Sequence, residues 1–95
     1  MRVRVRLVGH LASIANKDIV TVELDERGTI SGLCQRLVDS LGSHFGEALL
    51  DSVTKDPRTN CLIMVNEREA SVLDGSETEL KDGDDVTIIP IFHGG

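Results

Sequence analysis

The chain has no tryptophan and no tyrosine, and its only aromatic side chains are Phe45 and Phe92. Its interior must therefore be built from valine, leucine and isoleucine, and aromatic platforms for stacking on bases or sugars are not expected. Cysteine is scarce too. Cys34 and Cys61 lie far apart in sequence with no CxxC pair, too few for a thiolate zinc or iron–sulfur site. One falls on an apolar helical face and the other opens an apolar strand, so both are expected to be small core residues. Positive charge is outweighed: 10 Lys and Arg against 16 Asp and Glu give a net charge of −6 and a pI near 4.9. Nucleic acid and anionic membrane surfaces demand clustered cations, so neither is an expected partner; a basic protein surface is. No apolar run approaches a membrane span, and Met1-Arg2-Val3-Arg4 lacks the hydrophobic stretch of a signal peptide, so a cytoplasmic location is expected.

Catalytic groupings are missing as well. His10, His44 and His93 have no motif spacing to Ser or Asp, and no glycine-rich phosphate loop occurs. The acidic run Asp82, Asp84, Asp85 lacks the spacing and terminal Glu of an EF-hand loop, and reads as a turn with Gly83 at positive φ. No bound cofactor, no metal site and no enzymatic activity of its own are expected.

What is present is 95 residues with 40% apolar content, enough for one domain, residues 1–95, that buries about 60 to 65% of its unfolded surface. From Arg2 to Val8 arginine alternates with Val3, Val5 and Leu7, the period of a strand with one buried face, which puts Arg2, Arg4 and Arg6 on its other face. A charged solvated face is the plain reading of that stripe; a dock for an acidic patch is the sharper one. After a loop holding His10 and Asn16-Lys17-Asp18, Ile19 to Leu24 alternates again, suggesting a hairpin with the first strand. Asp25-Glu26-Arg27-Gly28 is a turn, and Thr29 or Ser31 can N-cap the helix that follows.

Ile30, Leu33, Cys34, Leu37, Val38 and Leu41 recur at spacings of three and four, an amphipathic stripe that ends at Gly42, placed for a left-handed cap. From Ser43 to Asn60 the pattern weakens; Leu49, Leu50 and Val53 suggest a short helical turn, and Lys55-Asp56-Pro57-Arg58 a loop. Cys61 to Val65 is wholly apolar, as in a strand covered on both sides or at a sheet centre, and Asn66-Glu67-Arg68-Glu69 turns it around. A last strand runs from Val86 to Ile91. The order predicts an α+β fold: a mixed sheet of four to five strands, one main helix across it, and the first and last strands side by side in parallel, the layout of a β-grasp. If Val86 and Ile88 face the helix, Ile89 and Ile91 fall on the open sheet face as part of a hydrophobic docking patch.

The final strand is followed, after Phe92 and His93, by Gly94-Gly95. At about 7% glycine usage, a terminal pair arises by chance in roughly 0.5% of chains. Glycine leaves the backbone thin and mobile, suited to threading an enzyme channel, so residues 92–95 are expected to be a flexible tail.

Leu80-Lys81-Asp82-Gly83-Asp84-Asp85-Val86-Thr87-Ile88-Ile89-Pro90 followed by Gly94-Gly95, in this element order, closely resembles the ubiquitin-like sulfur carriers. That superfamily includes the molybdopterin synthase small subunit, the thiamin sulfur carrier, the ubiquitin-related modifiers and the small archaeal modifier proteins. The resemblance spans Arg2–Leu41 and Leu62–Gly95, with residues 43–60 unmatched. His93-Gly94-Gly95 is similar to the ending of the ubiquitin-related modifiers; the molybdopterin type tends to carry a second proline and a small residue where this chain has Ile91-Phe92-His93.

The resemblance implies that an ATP-dependent activating enzyme adenylates the Gly95 carboxylate, with Gly94 beside it in the channel. ATP is then the activating enzyme's cosubstrate. A sulfurtransferase persulfide can convert the adenylate to a thiocarboxylate, a sulfur donor for tRNA thiolation or cofactor synthesis, or a target lysine can capture the tail as an amide. Ile89, Ile91, Phe92 and His93 are the expected docking residues, Phe92 as an aromatic anchor. The chain itself is then a monomeric protein substrate. Two alternatives stand beside this reading: a small subunit of molybdopterin synthase that donates sulfur only, and an interaction-only β-grasp domain whose terminus is inert.

Overall fold

The computed structural model describes residues 1–50, 56–57, 60–69 and 73–91. Five strands form one mixed sheet in the order β2-β1-β5-β3-β4. They are β1 (Arg2–Leu7), β2 (Ile19–Glu23), β3 (Cys61–Val65), β4 (Arg68–Glu69) and β5 (Asp85–Pro90). β1 and β5 pair in parallel at the centre, Val5 opposite Val86 and Leu7 opposite Ile88, while β2 and β3 flank them antiparallel. This is the β-grasp arrangement, and the first and last strands lie together as the sequence order requires. β3, however, lies one strand in from the edge rather than at the centre.

One sheet face carries the core. Val3, Val5 and Leu7 of β1, Ile63 of β3 and Val86 and Ile88 of β5 are buried against helix α2 (Ile30–Leu41), whose Ile30, Leu33, Cys34 and Leu37 face the sheet. Thr29 caps this helix: its Oγ1 accepts from the Gly32 N–H at 3.2 Å, which leaves Ser31 as an ordinary first-turn residue. Gly42 closes it at φ 96°, ψ 173°, positive in φ but outside the left-handed helical well, and its N–H donates to Val38 O. Only glycine enters that backbone region without strain.

The departure at Gly42 lets a second helix start at once. Helix α3 (Ser43–Leu49) lies earlier than the helical turn expected around Leu49 to Val53, of which Val53 falls outside the described residues. Its fully buried Phe45 and Leu49 hold it in the core, and Gly46 lies so close to α2 that an added Cβ would meet Val38 Cγ1 at 3.0 Å. A one-helix reading misses this stretch because seven residues show barely two turns of periodicity. The segment expected to be a loop between β1 and β2 contains helix α1 (His10–Ala15), closed by Asn16 in the left-handed conformation. A six-residue helix is unstable by itself; it stands because Leu11 is fully buried.

Both cysteines are buried, as expected of core residues. Burial pushes the Cys34 thiol up to about 12, with Cys61 and Asp56 adding to the rise, and pushes Cys61 up to about 11. An unfolded thiol ionises near 8.5, whereas in the fold Cys34 is pushed up to about 12 and Cys61 to about 11. Their contribution is therefore intact below the unfolded value and is lost as pH rises toward the folded one, by up to about 1.4 kcal/mol per thiol per pH unit. Two outcomes follow: neither thiol is alkylated by iodoacetamide in native protein at pH 8, and urea midpoints fall steeply above pH 9 but less so in Cys34→Ala. Rapid native labelling of both thiols would contradict their burial.

Candidate functional site

Strand alternation divides β5: Val86 and Ile88 face the helices, so Asp85, Thr87 and Ile89 face away. Cross-strand partners share a face, which places Arg2, Arg4 and Arg6, Thr21 and Glu23, and Leu62 and Met64 on the same open side. The two ends of this face differ in character.

The end near the start of β5 is polar. Arg2 Nε pairs with Glu23 Oε1 at 2.7 Å and Arg4 Nε with Asp85 Oδ1 at 3.1 Å. The turn before β5 is braced from all sides. Asp82 Oδ1 accepts from the Arg2 N–H, Asp84 accepts from the Lys81 N–H and from Asn66 Nδ2, and Gly83 sits at φ 85°. These carboxylates are occupied with backbone and amide donors, which fixes where β5 begins. Two of the three arginines thus carry carboxylate partners from their own sheet. Arg6, between Ile19 and Thr87, has none among the described residues.

The other end is apolar, and the chain leaves the sheet there. Ile89 pairs with Leu62, and Met64 pairs with Thr87, all half-buried. Around them Ile91 is 45% exposed, Ile19 43% and Val8 37%. Pro90 ends β5 beside Gly9, where β1 has already turned away, so its missing N–H costs no ladder bond. The Ile91 N–H still donates to Asn60 O at 2.9 Å, anchoring the strand's last turn to the start of β3.

Of the residues singled out in the sequence, Ile89 and Ile91 lie at this apolar end. Phe92, His93, Gly94 and Gly95 lie outside the described residues. Leu62 and Met64 escape the sequence reading, although the run Cys61 to Val65 signals them. A strand with one buried face needs apolar residues only at alternate positions, and the surplus Leu62 and Met64 mark a second apolar face.

The fold is that of the ubiquitin-like β-grasp proteins, with an apolar patch where the terminal strand leaves the sheet. The sequence matches the family model described as the ThiS family over residues 5–95, and the chain belongs to that family. Among solved structures it is similar to SAMP1 from Haloferax volcanii (TM-score 0.83, 18% identity, 100% of both chains), a likeness of fold. It is also similar to Urm1 from Trypanosoma brucei (TM-score 0.80, 26% identity, 99% of this chain and 95% of that one). A putative molybdopterin converting factor, subunit 1, from Pyrococcus furiosus matches with TM-score 0.76 and 25% identity over 97% and 99% of the two chains. No curated protein matches it in sequence.

Proposed function

We propose that this protein is a sulfur carrier and protein modifier whose Gly95 carboxylate is the reacting group. The observation that carries the reading is the family match running through Gly94 and Gly95, on a body whose central strand β5 leads into that end. A carboxylate is a poor electrophile. Attack of its oxygen on the α-phosphorus of ATP releases pyrophosphate and leaves an acyl-adenylate, with AMP as a good leaving group. A persulfide on a sulfurtransferase or on the activating enzyme then displaces AMP, and a second thiol cleaves the resulting acyl disulfide to leave a thiocarboxylate on Gly95. In the other fate, the adenylate passes through an enzyme thioester to a lysine amine of a target protein. With Cys34 and Cys61 buried and protonated, the sulfur comes from the partner.

In this reading Ile89 and Ile91, with Phe92 and His93 beyond them, seat the activating enzyme. The test is pyrophosphate exchange by the full chain with activating enzymes from the same cell and ATP; exchange supports the reading, and none with any of them overturns it. Ile91→Asp places a charge at an exposed position and should leave the melting temperature unchanged. Ile89→Asp acts at the half-buried centre of the patch. Each should raise the activating enzyme's KM about 30-fold, the equivalent of losing a contact worth about 2 kcal/mol. Unchanged KM values would remove the patch from the interface.

The likeness to the molybdopterin converting factor favours a second reading, in which sulfur donation is the only fate. Co-purification with a large catalytic partner, without Gly-Gly remnants on other proteins, distinguishes it.

A further inference from the structure

β2 is a sheet edge, and its backbone is half unused. Met1 and Leu24 exchange both backbone bonds, Met1 N to Leu24 O at 2.7 Å and Leu24 N to Met1 O at 2.8 Å, and Leu7 N donates to Asp18 O at 2.7 Å. In an antiparallel pair such bonded positions alternate, so Val20 and Val22 bond to β1 while the N–H and C=O groups of Ile19, Thr21 and Glu23 point outward. None of these outward groups has a hydrogen-bond partner among the described residues. Of the usual guards of an edge, the run Ile19-Val20-Thr21-Val22-Glu23 has no proline, no bulge and no inward charge, and its one charged residue, Glu23, lies at its end. The opposite edge strand, β4, is two residues long.

Beside this edge lies a groove of about 340 Å3 between β2 and α2. Val20 and Val22 contribute its apolar floor, and Arg36, Asp39 and Ser40, spaced three and four apart on one face of α2, form its far wall. Glu23 is already paired with Arg2, so the charges left on the groove wall are Arg36 and Asp39, in a chain of net charge −6.

We propose that β2 is a second binding edge, independent of the C-terminal chemistry, that takes up an extended segment of a partner protein as a sixth strand. The segment's backbone pairs with Ile19, Thr21 and Glu23, its small apolar side chains enter the groove over Val20 and Val22, and a basic side chain meets Asp39. A second copy of this chain is the weaker occupant. Paired strands sit about 4.8 Å apart while packed helices need about 8–10 Å, so the two α2 helices bordering the joined edges would crowd, and two chains of charge −6 would meet.

The probe is a capped synthetic peptide of alternating valine and threonine with a lysine at each end, titrated into the full chain and followed by amide NMR and hydrogen exchange. The expected result is shifts confined to β2 and α2, and at least about tenfold slower exchange at Ile19, Thr21 and Glu23, since newly paired amides become protected. Thr21→Pro removes an outward donor that the sheet does not use and should abolish the protection. Asp39→Lys, which leaves the strand untouched, should weaken binding while leaving the melting temperature unchanged. Shifts on the Arg4–Thr87–Leu62 face instead, no shifts at millimolar peptide, or edge protection that grows with protein concentration without peptide would each overturn the proposal, the last in favour of self-association. Pyrophosphate exchange should be normal in Asp39→Lys, which separates this edge from the activating-enzyme reading.

Discussion

Deleting Gly94 and Gly95 is expected to reduce adenylation to the background rate while leaving the melting temperature where it was. The two residues follow the last strand and its anchor at Ile91, so their loss removes no described contact of the sheet or core. Without them the terminal carboxylate belongs to His93, two residues nearer the body. Two extended residues span about 7 Å, and a shortfall of even about 1 Å in the placement of reacting groups can cost a hundredfold in rate. Replacing Gly95 by a bulky residue tests the other half of the idea. Chain length is then preserved, but under the proposed function a Cβ and its substituents would have to enter a channel that accepts bare backbone, so a comparable loss is expected. Truncated protein that still supported pyrophosphate exchange at the full rate would move the reaction to another group.

The second large effect falls on stability. Phe45 is fully buried on α3 and is the one aromatic side chain among the described core residues. Truncation to alanine removes the ring from the buried face of α3, a helix packed against α1 and α2, and Phe→Ala at such sites costs about 3–5 kcal/mol. A domain of this size holds roughly 5–14 kcal/mol in all. The expected Phe45→Ala protein is folded but marginal, with a melting temperature lowered by about 12–40 °C. Ile19→Ala on the exposed edge should stay within about 0.5 kcal/mol of the parent. A loss under about 1 kcal/mol for Phe45→Ala would mean that α3 does not close the core.

Those two residues also mark what could be read in advance. The stripe from Ile30 to Leu41 is long enough to declare a helix, and Thr29 and Gly42 mark its ends. The strands at Arg2, Ile19, Cys61 and Val86 declare themselves by alternation or by continuous apolar character. From these the β-grasp follows, with β1 and β5 parallel at its centre. Phe45 was less legible, because α1 and α3 are too short for periodicity to speak and are stabilised by the tertiary burial of Leu11, Phe45 and Leu49.

The candidate site was legible in proportion to how local its signal is. A terminal diglycine after a strand is visible in the chain itself, and the parity of Val86 and Ile88 places Ile89 on the open face. The patch around Ile89 depends on register, since only strand pairing brings Leu62 and Met64 beside β5 from more than twenty positions away. Likewise, that Arg2 and Arg4 are matched by Glu23 and Asp85 while Arg6 is not is a fact of the sheet, invisible in the stripe. The unused backbone of β2 belongs to the same kind, because edges are assigned by topology.

The central claim is that Gly95 carries the reacting carboxylate, and its most direct test is the mass of the C-terminal peptide from protein isolated from its native cell. The expected spectrum contains that peptide with one oxygen of its terminal carboxyl exchanged for sulfur, or joined through Gly95 to a lysine of another protein. A terminus that remains an ordinary carboxylic acid under every growth condition, with no Gly-Gly remnant on any lysine, would contradict it.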